Sequence, residues 1–356
     1  MNSKSRSGPI PEPLLRAAFG AQAAQLLCIA VRLGLAEKMQ RGAPSAAELA
    51  GSLNVDAMAL ERVLRALVIT GVCNEQGNAC FGMTALGEYL RADHPQSVAA
   101  RVLLNVEVHE RLWSDLFTTV RTGEPASERV FGVPFYDHLA QDPAAAQLFD
   151  RAMAGGGWIE NRLRPALEAY DFGQFRTIVD VGGGNGTLMA ELLKTNPSVR
   201  GTVFDLPRLE TAALATIGSA ALSERCDFVA GNALESVPAG HDAYVLSNFL
   251  NSFSDDAALS ILRNCRRAMS PAGKVLLLEW VSASGDEDRD TYRAWDTATM
   301  DIVMLAAFGS RGGRLRTKAE FSALLDRAAL SVSAFVATHA SIWVIETVPT
   351  QPDQLS

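Results

Sequence analysis

Cysteine is scarce in this 356-residue chain: Cys28, Cys73, Cys80, Cys226 and Cys265 are odd in number, widely spaced and without a CxxC pair. That arrangement suits neither a disulfide framework nor a zinc site, and it fits a reducing cytoplasm. A surplus of positive charge is missing too. Lysine and arginine number 32 against 40 aspartates and glutamates, a net charge of −8, which excludes a general binder of nucleic acid or of anionic membrane. No apolar run reaches the roughly 18 residues of a membrane span. Lys4 and Arg6 near the N-terminus are followed by no apolar stretch, so no secretory signal is expected. Internal repeats are absent as well. What is present is core material: 48% hydrophobic residues and a mean hydropathy of +0.08, in a chain long enough for two domains.

The first half reads as helical. Apolar residues recur at helical spacing from Leu14 to Met39, with a thin polar face that predicts burial against another helix or another subunit. Ser45 followed by Glu48 has the form of a capping box opening a helix at Ala46. A second short helix is expected over 56–70, and 71–81 has a strand–turn–strand pattern. Helix–turn–helix plus wing outlines a winged helix. Its would-be recognition helix sets Arg62 and Arg65 against Asp56 and Glu61, and the wing has no basic residue. Phosphate contacts dominate DNA affinity, so a structural or dimerising role fits better than a DNA-binding regulator.

Helices are expected over 97–122 and 142–170, with a loop over 123–134 between them. Beyond Phe175 strand-length apolar runs alternate with helical segments. Strands are expected at 177–181, 202–205, 227–230, 243–247 and 274–279, and helices at 187–194, 206–217 and 255–269. This alternation predicts a parallel sheet covered on both faces. Runs at 332–338 and 341–345 are close enough to form an antiparallel hairpin at one edge. The expected organisation is a winged-helix-like module over 1–100, connecting helices over 101–170 that help form a pocket, and an α/β domain over 171–356.

The most informative stretch is Asp180-Val181-Gly182-Gly183-Gly184-Asn185-Gly186. A buried strand ends there in a glycine turn that opens a helix, at the sheet edge where doubly wound folds bind ligands. The dinucleotide spacing fails, because its third glycine position is Thr187. The pattern that fits is Asp-x-Gly-x-Gly-x-Gly, in which the acid suits an ammonium better than a pyrophosphate. Asp205 ends the next strand and can accept hydrogen bonds from both ribose hydroxyls. Together they specify an adenosine that carries an amino acid, S-adenosylmethionine (SAM).

Asp180–Gly186, Phe204-Asp205-Leu206-Pro207, Gly231-Asn232-Ala233, residues 242–256 and Gly312-Gly313-Arg314-Leu315-Arg316-Thr317 together resemble the class I SAM-dependent O-methyltransferases of caffeate and hydroxyneurospurene type. Phe149-Asp150-Arg151-Ala152-Met153 extends the resemblance upstream, so that it covers about residues 13–347. It implies a seven-stranded doubly wound SAM-binding sheet with an N-terminal dimerisation domain. It also implies a cytoplasmic homodimer and a cofactor site at Asp180, Gly182, Gly184, Gly186, Asp205, Leu206, Asn232, Ala233 and Ser247. The implied acceptor pocket is lined by Met153, Trp158, Asn251, Met300 and Met304, with Tyr136 and His109 as further candidates.

The chain departs from that family where the base should stand. Asn251 occupies the position of the histidine that deprotonates the acceptor hydroxyl, and Phe253 that of a tryptophan. Asparagine can orient but takes no proton at neutral pH. Glu279 keeps one of the acids that flank the base; the other is replaced by Leu315, and Asn232 stands where an aspartate usually meets the adenine amino group. The pattern resembles the polyketide-tailoring, anthracycline-type branch. The expectation is methylation of a hydroxyl on a bulky aromatic natural product by proximity and orientation. The alternative is a SAM-binding enzyme turned to hydroxylation, decarboxylation or rearrangement. His241, ahead of the fourth strand, is expected at the surface, and Arg314 and Arg316 as structural or surface residues.

Overall fold

The computed structural model describes residues 12–40, 42–154, 159–282 and 292–350, which divide between two units, Met1–Val108 and His109–Ser356. The connecting helices expected over 101–170 therefore fall with the second unit from His109 onward. No helix among the described residues is long and apolar enough to cross a membrane.

In the first unit α1 (Gly20–Arg32), α2 (Ala46–Leu53) and α3 (Ala57–Ile69) pack with a small antiparallel pair, β1 (Cys73–Glu75) and β2 (Phe81–Met83). The expected capping box forms. The Glu48 backbone N–H donates to Ser45 Oγ at 3.2 Å, and the Ser45 N–H donates to Glu48 Oε2 at 2.8 Å. Asp56 caps α3 in the same way through the Ala59 N–H, at 2.8 Å. Leu35, Leu49, Leu60, Leu64, Leu67 and Phe81 form the core of this unit.

The second unit is built on a seven-stranded sheet of β3 (Thr177–Val181), β4 (Arg200–Asp205), β5 (Cys226–Ala230), β6 (Ala243–Ser247), β7 (Lys274–Trp280), β8 (Leu330–Ala337) and β9 (Ile342–Pro349). Its order is β5-β4-β3-β6-β7-β9-β8. The first five strands run parallel; β9 pairs antiparallel with β7, and the β8–β9 hairpin closes one edge. Central strands carry apolar residues at successive positions because both faces are covered. Ile178, Val203, Val245 and Leu276 belong to one core, and Val179, Tyr244, Leu246 and Leu277 to the other. The helices of this unit include α4 (Phe135–Gln141), α5 (Pro143–Ala154), α6 (Thr187–Thr195), α7 (Glu210–Ser219), α8 (Asp255–Ala268), α9 (Tyr292–Phe308) and α10 (Lys318–Arg327).

Four expectations are corrected. The helix expected over 97–122 is interrupted. Ala99–Leu104 passes into a π-helical turn at Asn105–His109, then Glu110–Trp113 and Leu116–Thr122. A π turn adds a residue that apolar periodicity does not register. The loop expected over 123–134 contains a helix, Ala126–Phe131, fixed by a buried bond from Ser127 Oγ to the Ala307 carbonyl at 2.7 Å. The helix expected from Leu206 starts at Glu210 after a 3-10 turn that begins with Pro207. His241 is half-buried, and burial holds its pKa below the usual histidine value.

Replacing Ser45 by Ala leaves the Glu48 N–H without its cap. A loss of about 1 kcal/mol in unfolding free energy is expected, read as a lower denaturant midpoint at unchanged m-value.

Candidate active site

The carboxyl ends of β3, β4 and β6 surround a cavity of about 540 Å³. Its floor is the turn after β3. Gly182 has φ +75° and Gly184 φ +59°, conformations that glycine adopts without steric cost. At Gly182 space forbids a side chain as well, since a Cβ there would lie 2.3 Å from the Phe249 ring. Phe249 therefore covers the turn at close range.

Asp180 lies directly beneath the turn, 1% exposed, and its Oδ2 is buried without a hydrogen-bond partner. Burial, reinforced by the nearby charge of Asp205, pushes its pKa up to about 7. An orphaned buried carboxylate oxygen costs stability until a donor or cation meets it. Asp205 is better provided for. Its Oδ2 accepts from the Gly184 N–H at 2.8 Å and its Oδ1 from the Leu206 N–H at 2.6 Å. These bonds tie the end of β4 to the glycine turn and leave lone pairs free on both oxygens. Asn232 Oδ1 accepts from the Leu234 N–H at 3.0 Å, and its Nδ2 donates to Glu235 at 3.2 Å.

Of the residues expected at the cofactor, Asp180, Gly182, Gly184, Asp205, Leu206, Asn232, Ala233 and Ser247 line this one cavity. Gly186 does not. It is the N-cap of α6, with φ +78°. The other part of the wall is more apolar and comes from α4 and α5: Tyr136, Leu139, Phe149, Asp150 and Met153, with Arg208 opposite. Trp158 lies outside the described residues. Met300 and Met304 stand with the core around Leu163 and Leu315 and are absent from the wall. His109, at the end of the π turn, is buried away from it, and no histidine lines the cavity among the described residues.

Asn251 is also absent from the wall. It sits in the 3-10 turn Leu250–Ser252 and is 5% exposed, while its neighbour Ser252 borders the cavity. Glu279 Oε1 accepts from the Phe249 and Leu250 N–H groups at 3.0 and 2.8 Å. Burial raises the Glu279 pKa to about 7. From the other side Arg316, 1% exposed, donates to the Leu250 and Phe253 carbonyls at 2.9 and 3.0 Å and pairs with Asp255. Of the two arginines held to be structural, Arg316 is thus a buried anchor of the turn. Sequence reasoning did not place Arg316 at this turn, and it missed Phe249 and Ser252. Only the adjacency of Phe249 and Ser252 to Asn251 pointed to those two, and Arg316 lies 65 residues downstream of Asn251.

The donor set fits an adenosyl ligand with an amino-acid tail: an unmet carboxylate for an ammonium, a carboxylate at a strand end for a ribose, and an apolar half beyond. Fold and site together define a SAM-dependent methyltransferase. Residues 113–331 match the model of the O-methyltransferase domain, and residues 15–93 match that of the O-methyltransferase dimerisation domain. The chain belongs to the O-methyltransferase family, and its cofactor is SAM. It is 33% identical to a phenazine O-methyltransferase of Lysobacter antibioticus, over 98% of this chain and 100% of the relative. It is similar to the solved structure of an O-methyltransferase from neocarzinostatin biosynthesis in complex with SAM and 2-hydroxy-5-methyl naphthoic acid. That match has a TM-score of 0.77 and 31% identity, and covers 92% of this chain and 96% of that one. An aclacinomycin 10-hydroxylase of Streptomyces purpurascens is 34% identical over 86% of this chain and 81% of its own length.

The sign of the pH effect follows from Asp180. Its native pKa of about 7 exceeds the unfolded value of about 3.9. Between these values the native state holds a proton that the unfolded state has lost, so ligand-free stability falls as pH rises from about 4 to about 7. Asp180→Asn should raise the thermal midpoint of the ligand-free protein at neutral pH, leave it unchanged near pH 4, and flatten part of that slope. Glu279, raised by burial to about 7, contributes with the same sign.

Proposed function

We propose that the protein transfers the methyl group of SAM to a hydroxyl of a bulky aromatic natural product, by proximity and orientation and without a histidine base. The observation that carries this reading is the wall of the cavity, which brings Asp180 and Asp205 together with Tyr136, Phe149 and Met153, with no histidine among the described lining residues. When bound, the sulfonium of SAM supplies the electrophilic methyl group. Asp180 meets the ammonium, Asp205 the ribose, and Asn232 and Ala233 the adenine side, with Leu206 and Ser247 completing the walls. General base catalysis is worth about 10²–10⁴-fold, whereas alignment of two bound reactants supplies about 7–11 kcal/mol. An acidic phenol that has given its proton to solvent therefore needs positioning more than it needs a base, and Asn251 contributes to that positioning.

The working unit in this reading is a cytoplasmic homodimer. The dimerisation-domain match supports the dimer, as do Leu14, Leu15 and Phe19, which stand exposed on the first unit where a second copy can bury them. Five free cysteines suit a reducing compartment.

A second reading, SAM-binding chemistry without methyl transfer, is favoured by one finding, the similarity to a 10-hydroxylase. Incubation with SAM and a panel of aromatic polyketides separates the two. S-adenosylhomocysteine (SAH) together with a methylated product supports the first, and a hydroxylated product without added methyl supports the second. Absence of SAM and SAH binding in calorimetry would overturn both. Asn251→Ala should lower kcat/KM about tenfold, a loss of orientation smaller than that of a full base.

A further inference from the structure

The side chain expected to meet the acceptor, Asn251, is buried behind the wall, and a hydroxyl stands in front of it. Ser252 Oγ donates to Asn251 Oδ1 at 3.2 Å, and Tyr136 Oη lies 3.0 Å from Ser252 Oγ. Tyr136 and Ser252 both border the cavity. An amide oxygen can only accept, so the bond to Asn251 takes the single serine proton. The Tyr136–Ser252 bond must then run from the phenol to the serine. The chain of donors has one direction: Tyr136 O–H to Ser252 Oγ, Ser252 O–H to Asn251 Oδ1.

That direction settles what the two cavity-facing oxygens can still do. Both hydroxyl protons are committed, and what remains toward the cavity is lone pairs. Much of the Tyr136 ring is open to solvent, at 42% exposure, but desolvation at its hydroxyl raises the phenol pKa, which keeps the group a donor within the chain. The turn that presents Ser252 is fixed from behind. Glu279 takes two of its backbone N–H groups and Arg316 two of its carbonyls. Gly313 packs so closely against it that a Cβ there would lie 2.4 Å from the Asn251 carbonyl oxygen.

We propose that Ser252 and Tyr136 are the groups that bind the acceptor hydroxyl, accepting its proton in a hydrogen bond, and that Asn251 is a positioning residue that acts through Ser252. This rests on the methyltransferase reading above and changes which residue carries the contact. The acceptor O–H points at the hydroxyl pair, and its oxygen lone pair is thereby aimed along the cavity toward the cofactor end. A methyl ether of the same ring system has no proton to give and loses this contact. The pair thus selects for a free hydroxyl, and for release of the methylated product.

The test uses the full chain saturated with SAH and compares by calorimetry the affinity for β-naphthol with that for its methyl ether. The wild type should prefer the naphthol about three- to tenfold, the worth of one hydrogen bond. Ser252→Ala should reduce the preference, and Ser252→Ala with Tyr136→Phe should abolish it, while SAH affinity stays near wild type. Asn251→Asp, which retains an accepting oxygen for Ser252, should preserve the preference, and Asn251→Leu should reduce it. Equal binding of the two probes by the wild type, or a preference that survives the loss of both hydroxyls, would overturn the proposal. Failure of the wild type to bind SAH would instead bring down the methyltransferase reading itself.

Discussion

The turn from Phe249 to Phe253 is held from opposite sides by buried charge, and the cavity depends on it. Glu279 engages its N–H groups and Arg316 its carbonyls. Two fully buried ionisable side chains are expensive to desolvate, and here both bind the backbone of the turn, Arg316 pairing with Asp255 as well. The return is geometric. Phe249 is pressed over Gly182 at a distance that leaves no room for a side chain, and Ser252 borders the cavity while Asn251, hydrogen-bonded to it, does not. Loss of Glu279 would free the Phe249 and Leu250 N–H groups, and loss of Arg316 would free the Leu250 and Phe253 carbonyls and unpair Asp255.

The remainder of the site follows from that arrangement and from the ends of β3 and β4. Asp180 is kept beneath the glycine turn with an oxygen unmet, and Asp205 is tied to the same turn by two backbone N–H groups. Ligand-free, the carboxyl end of the sheet carries an electrostatic debit that a cationic ligand removes. The opposite part of the wall comes from α4 and α5 and is largely aromatic and apolar. This division suits chemistry driven by alignment, with the charged end holding one reactant and the apolar end the other. Leu315, buried where the resemblance places a second acid, removes the setting in which a proton-accepting histidine would be stabilised. In the proposed reading the loss of base and acid is one coherent change.

Much of the fold was legible before any coordinates. The strands at 177–181 and 243–247 have the expected ends, and the closing hairpin has the expected pairing, because buried parallel strands are short apolar runs bounded by turn residues. The capping box at Ser45 was legible for a similar local reason. Where reading failed, the deciding force was distant in sequence. The π turn at Asn105–His109 hid inside an apolar helical pattern, and the helix Ala126–Phe131 is secured by Ser127 on the Ala307 carbonyl, 180 residues away. Met300 and Met304 have the spacing of a pocket as much as of a core, and packing assigned them to the core.

The sequence by itself determined the ligand class. An acid before three alternating glycines and a second acid ending the next strand are local facts, and backbone geometry at strand ends carries them into one site without help from the rest of the chain. Tertiary structure alone decided which of two adjacent residues, Asn251 or Ser252, looks into the cavity. The 3-10 turn that carries both is held by Glu279 on a neighbouring strand and by Arg316 from a segment that the chain reaches only after α9.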